Sequence, residues 1–259
     1  MRILFIGDIV GEPGRRAIKE LLPKIVKMEK VDFVIANGEN AAGGSGITPM
    51  LADELLGYGV DVITSGDHIW KRKEIVERLN EDSRVLRPAN YPRESPGFGS
   101  TVIASKSGIE VGVINLQGRV FMQAIECPFR TAKAEVDKLK NKTRIIIVDI
   151  HAEATSEKAA LAYFLDGEVS LVAGTHTHVQ TSDERILSNG TAFITDVGMT
   201  GPTDSVIGRR KEQVIERFLT GMPTRFEVAL EAVELQGVFC EIDRDSGRAR
   251  AIKRIKECL

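Results

Sequence analysis

Long apolar runs are missing from this sequence. No stretch reaches the roughly 18 consecutive apolar residues that a membrane-spanning helix requires. Residues 1–6 form too short an apolar run for a secretory signal and lead straight into a turn. Cysteine is scarce: Cys127, Cys240 and Cys258 are widely separated, with no Cys-x-x-Cys pair. Reduced thiols in a cytoplasmic protein fit that pattern better than a disulfide-stapled secreted fold. Aromatic residues make up only 5% of the chain, so a stacking platform for single strands would have few rings to draw on. Charge of one sign is also lacking. A formal net charge of −2 offers no overall attraction to nucleic acid, and neither a stable nucleic-acid complex nor a membrane partner is expected.

What remains is ordinary globular material, 42% apolar and 28% charged, and 259 residues can bury a substantial core. Short apolar runs alternate with amphipathic helical patterns through the first 85 residues. Strands are expected at 3–6, 33–36 and 60–64, with helices near 15–28, 49–58 and 72–80. Thr48-Pro49 supplies the second helix with an N-cap hydroxyl and a proline at its first position. This β-α-β-α-β-α order implies a parallel sheet with right-handed crossovers. Residues 87–99 carry three prolines and read as an irregular surface loop; 101–104 and 111–115 read as an antiparallel hairpin. Farther on, 144–149 and 170–173 read as strands, with helices near 130–139 and 156–165. Residues 191–195 form another strand, 198–203 read as a turn, a short helix falls near 211–219, and a final hairpin spans 238–255. No repeat or linker interrupts the chain, which reads as one α/β domain over 1–259 with two packed sheets.

Five of the buried-looking strands end in a polar cluster: Gly7-Asp8, Asn37-Gly38-Glu39-Asn40, Gly66-Asp67-His68, Asp149-Ile150-His151, and Gly174-Thr175-His176-Thr177-His178. All four histidines of the chain lie in these clusters. Open α/β sheets bind ligands beyond the carboxyl ends of their strands, and imidazole is the commonest metal ligand. In four of the five, a glycine just before the first candidate ligand lets the backbone turn sharply. In His176-Thr177-His178, extended residues two apart would point the same way and reach adjacent metals. Mixed oxygen and nitrogen donors suit manganese, iron or zinc better than calcium or magnesium. Three carboxylates with three or four imidazoles exceed the needs of one tetrahedral zinc. The surplus points to two metals sharing a carboxylate, an arrangement that can clamp both oxygens of a phosphoryl displacement.

These motifs, together with Asp149-Ile150-His151-Ala152-Glu153-Ala154-Thr155-Ser156-Glu157-Lys158 and Asp196-Val197-Gly198-Met199-Thr200-Gly201, resemble in order and length the YmdB-type branch of the calcineurin-like metallophosphoesterases. The resemblance runs along essentially the whole chain. It implies a four-layer αββα sandwich, two mainly mixed sheets flanked by helices, as in the metallo-dependent phosphatases. It implies two first-row metal ions, iron or manganese ahead of zinc, and phosphodiesterase activity with 2′,3′-cyclic nucleotides as substrates. Carried over by position, Asp8, Asn40 and His178 would hold the first metal, Asp67, His151 and His176 the second, and Glu39 would bridge. His68 would stand beside the scissile phosphate as general acid while metal-activated hydroxide attacks.

Two departures from the family pattern stand out. The wider superfamily begins Asp-x-His, but the third position here is Val10, with Asn40 as the compensating ligand. Where the YmdB branch has Asn-His, this chain has Asp67-His68, which adds a negative charge beside the metals. Thr175 and Thr177 are candidates for orienting ligand imidazoles, and Glu153 either bonds a ligand histidine or caps the helix starting near Ser156. Arg119 and Arg130 flank an apolar loop and read more readily as solvated or salt-bridged than as substrate contacts, and Trp70 reads as packing. Two other classes stay open: a mononuclear metal amidase or deacetylase, and a metal-retaining regulatory protein with weak catalysis. A phosphate-cradling glycine loop fails, because Gly7, Gly11 and Gly14 are spaced G-x-x-x-G-x-x-G. Assembly into a homo-oligomer stays open.

Overall fold

The computed structural model describes residues 1–259. In chain order the first half holds strands β1 (Arg2–Ile6), β2 (Asp8–Ile9), β3 (Phe33–Asn37), β4 (Val62–Thr64), β5 (Ser100–Ala104) and β6 (Glu110–Gln117). Helices α1 (Gly11–Glu29), α2 (Pro49–Gly57) and α3 (Ile75–Glu81) lie between them. The second half holds α4 (Pro128–Leu139), β7 (Ile146–His151), α5 (Thr155–Phe164), β8 (Leu171–Thr175), β9 (Arg185–Ile186), β10 (Ala192–Ile194), β11 (Met199–Pro202), α6 (Lys211–Thr220), β12 (Val233–Ile242) and β13 (Ala249–Cys258). None of the helices is long and apolar enough to cross a membrane.

Period-two alternation builds the layers. On β1, Ile3 and Phe5 face inward to pack with Val113, Ile147 and Leu171 of the other sheet, whereas Leu4 and Ile6 face outward onto Ile18 and Leu22 of α1. The second sheet repeats the device, with Ile146, Val148 and Ile150 meeting Val136 of α4 and Leu161 of α5. The result is the four-layer αββα sandwich. One sheet runs β2-β11-β12-β1-β3-β4, with β13 added to β12; the other runs β5-β6-β7-β8-β10-β9. β1, β3 and β4 pair in parallel, as do β6, β7 and β8, so their carboxyl ends open on one crevice.

Most expected elements are present within a few residues of their bounds. Thr48 caps α2 by accepting the Leu51 amide hydrogen, and β5 and β6 form the antiparallel hairpin. Two expectations are corrected. The turn-like sequence at 198–203 is largely strand β11, pairing in parallel with β2 and antiparallel with β12. Its glycine and proline signal a turn locally, but neighbours on both sides supply the ladder. The proline-rich stretch 87–99 is irregular yet not simply superficial. Arg87, Asn90 and Tyr91 are buried there, and the Asn90 amide donates to the carbonyls of Gln117 and Glu126.

Candidate metal centre

The five polar clusters converge. Asp8 comes from β2, Glu39 and Asn40 follow β3, Asp67 and His68 follow β4, His151 ends β7, and His176 and His178 follow β8. Both sheets therefore contribute to one site, and the side chains form two adjoining groups.

In the first of these, His151 Nε2 lies 3.0 Å from His176 Nδ1, 3.3 Å from Glu39 Oε1 and 3.4 Å from Asp67 Oδ1. These four atoms lie within 4.8 Å of one another and could hold a metal ion. In the second, His178 Nε2, Asp8 Oδ1 and Glu39 Oε1 converge on the Asn40 amide nitrogen at 3.2, 3.5 and 3.2 Å. Two carboxylate oxygens and an imidazole nitrogen around one NH2 make an arrangement that a cation would satisfy equally well. A half-turn of the amide, which changes no heavy-atom shape, would offer its oxygen instead. Glu39 Oε1 touches both groups.

Each imidazole is oriented by its other nitrogen. The Thr175 hydroxyl donates to Asp149 at 2.7 Å, so its oxygen accepts from His151 Nδ1 at 2.9 Å. The His178 Nδ1–H donates to the Ile207 carbonyl at 3.0 Å, and His176 Nε2 lies 3.1 Å from the Glu153 carboxylate. His151 Nε2, His178 Nε2 and His176 Nδ1 are thus the atoms turned inward, as in sites where a partner on the far nitrogen sets the ligand tautomer. Thr175 and Glu153 have the orienting contacts expected of them; Thr177 does not, since its hydroxyl and amide both donate to Asp196.

Close approach and strain shape the loops. A Cβ on Gly66 would lie 2.0 Å from the His151 ring, so only glycine lets that ring pack on the backbone before Asp67. His176 and His178 have φ of 101° and 63°, conformations that L-residues seldom adopt. They reach different groups through this left-handed path, not as the extended pair the spacing suggested. A fully buried ion pair holds the path: Lys158 Nζ donates to Asp196 at 2.8 Å and to the Thr175 carbonyl at 2.7 Å.

The donor set is electrostatically unusual. Burial works to raise Asp8, but the charge and hydrogen bond of His178 and the charge of His151 hold it well below the ordinary carboxylate range. Burial is likewise outweighed at Asp67 by the adjacent His151, with the charges of His68 and His176 adding to it. Against burial, Glu39 and Asp67 push His151 well up, and Asp8 pushes His178 up. Burial and the charge of His151 move His176 down. Neighbouring carboxylates thus favour the charged forms of His151 and His178, a role that a metal would take over by displacing protons. Asp67 Oδ1, one of the four converging atoms, is buried without any hydrogen-bond partner. An orphaned carboxylate oxygen among imidazoles fits a metal.

His68 stands at the edge. Its Nδ1 donates to Asn40 Oδ1 at 2.8 Å, its amide donates to Glu39 at 3.2 Å, and Nε2 lies 3.8 Å from Asp67. Arg130 is drawn elsewhere, into a cavity of about 730 Å³ shared with Arg87 and Arg93 that contains none of these residues. Trp70 packs edge-on against Tyr91, 5.5 Å between ring centres.

A model of the YmdB-like protein family matches residues 4–255. The 2′,3′-cyclic-nucleotide 2′-phosphodiesterase of Bacillus subtilis (strain 168) is 49% identical over 255 residues, covering 98% of this chain and 96% of its own length. The chain belongs to the YmdB-like family. Solved structures of similar proteins agree with the sandwich described above. A hypothetical protein of Thermus thermophilus is 41% identical with a TM-score of 0.92, over 100% of this chain and 99% of its own. A phosphatase of Mycoplasma pneumoniae is 35% identical with a TM-score of 0.93, over 100% of this chain and 93% of its own.

Asn37, Thr64, Asp149 and Lys158 carried no assigned role in the sequence. Asn37, Thr64 and Thr175 all donate to the buried Asp149, whose carboxyl burial pushes up to about 7. The available signal was an aspartate inside an otherwise apolar strand, which needs partners. Lys158 was legible in the same way, since it shares the helical face of Leu161, Ala162 and Leu165.

Proposed function

We propose that this chain is a two-metal phosphodiesterase that opens 2′,3′-cyclic nucleotides. The observation that carries the reading is the convergence of Asp8, Glu39, Asn40, Asp67, His151, His176 and His178 at the shared strand ends, with Glu39 touching both groups. The name of the 49%-identical relative supplies the substrate class. Asp8, Asn40 and His178 would hold one ion, Asp67, His151 and His176 the other, and Glu39 both; mixed donors suit manganese, iron or zinc, and the family resemblance puts iron or manganese first. When bound, the pair would polarise the phosphoryl group and generate the nucleophile from water.

The chain's own residues do the rest. Thr175, Glu153 and the Ile207 carbonyl hold the three imidazoles in fixed tautomers. With the Asn40 amide turned to offer its oxygen to a metal, its NH2 faces His68 Nδ1, which leaves the His68 proton on Nε2 for the departing ribose oxygen. Water adds across the bond: its oxygen joins phosphorus, the ring P–O bond breaks, the freed ribose oxygen takes the His68 proton, and the proton that the water loses replaces it on His68 through solvent.

Elemental analysis combined with hydrolysis of 2′,3′-cyclic AMP tests this. We expect close to two metals per chain and phosphodiester cleavage. His68→Ala should lower kcat by about 10²–10⁴-fold while metal content persists. Metal-loaded protein inert towards every phosphodiester, or one metal per chain with amidase activity, would overturn the reading.

A further inference from the structure

The loop after β6 presents an aromatic ring in a way that packing does not explain. Phe121 is 90% exposed, and its backbone sits at φ 61°. A bulky residue in the left-handed region is strained, and exposing phenyl to water gains nothing for stability. Strained, exposed residues persist where surrounding structure holds them, and they cluster at ligand sites.

The holding structure is explicit. The Glu157 carboxylate, buried at the start of α5, accepts the Arg119 amide at 3.1 Å and the Val120 amide at 3.2 Å. Met122 closes a turn by donating its amide to the Arg119 carbonyl, and its side chain packs into the core between the second sheet and its helices. A Cβ on Gly118 would lie 2.5 Å from Glu157, so the loop sits tightly against the helix. Phe121 is therefore a ring on a pinned turn, with neighbours anchored on both sides.

That turn borders the metal centre. Gln117 pairs with His151 across the sheet, and the Gly118 amide donates to the His151 carbonyl at 2.9 Å. Three residues of chain span at most about 10 Å, so Phe121 stays near the residue that presents His151. Glu157, which holds this loop, follows Glu153, which touches His176, by four residues across the start of α5.

We propose that Phe121 is a specificity-determining residue: a platform on which the nucleobase stacks when the phosphate lies at the metal centre. This rests on the phosphodiesterase reading above. A phenyl ring has no hydrogen-bonding edge and recognises a π-face, which every base has. The chain would thus accept all four bases, with purines ahead of pyrimidines because they cover more of the ring.

The test compares ligands with and without a base. Metal-loaded protein is titrated calorimetrically with adenosine 3′-monophosphate and with ribose 3-phosphate, for the natural chain, Phe121→Ala and Phe121→Trp. The adenosine ligand should bind tighter to the natural chain. Phe121→Ala should cut that advantage about tenfold, within the range for losing one base–aromatic stack, and Phe121→Trp should restore it. The ratio of kcat/KM for 2′,3′-cyclic AMP to that for ribose 2,3-cyclic phosphate should fall in parallel. No adenosine advantage in the natural chain, an advantage untouched by Phe121→Ala, or a change of association state in that variant on sedimentation would each overturn the proposal. Failure of all hydrolysis would instead strike the phosphodiesterase reading, leaving the binding comparison to decide Phe121.

Discussion

The hydroxyl of Thr175 lies 2.9 Å from Nδ1 of His151 and donates a hydrogen bond to Asp149. One small side chain thereby sets which ring nitrogen faces Glu39 and Asp67. Thr175→Val keeps the shape and removes this relay. Metal affinity or activity should fall about 10–100-fold, as for other partners of ligand histidines, and Thr175→Ser should restore most of it. Metal content and kcat/KM measured together check this; an unaltered Thr175→Val protein would mean the ring is held by packing alone.

Lys158 and Asp196 are fully buried and 2.8 Å apart, beneath the loop that presents His176 and His178. Lys158→Met leaves Asp196 without its cation, and breaking a buried pair costs about 3–5 kcal/mol. Chemical denaturation should show that loss. The double variant Lys158→Met/Asp196→Asn should be the more stable of the two, because no charge is then stranded.

Asp67 supplies a charge where the family resemblance expects an amide. Asp67→Asn should weaken metal binding about tenfold or more, since cation affinity follows ligand charge. Turnover of the anionic substrate at saturating metal should rise, because a carboxylate beside the phosphate is gone. Metal titration followed by rate measurement separates the two effects. A lower rate in the fully loaded variant would show that the carboxylate itself assists catalysis.

The cysteines should differ in reactivity. Burial pushes the Cys240 thiol up to about 12. At Cys127 burial acts the same way, but the Arg130 and Phe129 amides at the start of α4, with the charges of Arg119 and Arg130, outweigh it and bring the thiol down. Only thiolate reacts. Alkylation followed by peptide mapping should label Cys127 near neutral pH, with a rate that rises with pH and levels off earlier than for an ordinary thiol. Cys240 should be labelled only after unfolding.

Much of the site was legible because its signals are local. An apolar run ending in a carboxylate or imidazole, in four cases after a glycine, marks a strand end whatever lies beside it, and five such ends announced a crevice whose groups could hold a metal. The exceptions depend on distant partners. Residues 198–203 look like a turn until β2 and β12 flank them. His176 and His178 look like an extended pair until Asp196 and the Ile207 carbonyl bend them apart.

The sequence by itself determined the layers, through alternation on strands and helical spacing between them, and it determined which carboxylates and imidazoles stand at the strand ends. Only the tertiary structure decided which nitrogen of each histidine faces inward, that one oxygen of Glu39 touches both groups, and that Asp67 Oδ1 is left without a partner. Periodicity is a property of neighbours along the chain, so sequence carries it directly. Tautomer, convergence and an orphaned oxygen depend on atoms from different strands meeting within a few ångströms, and folding alone brings them there.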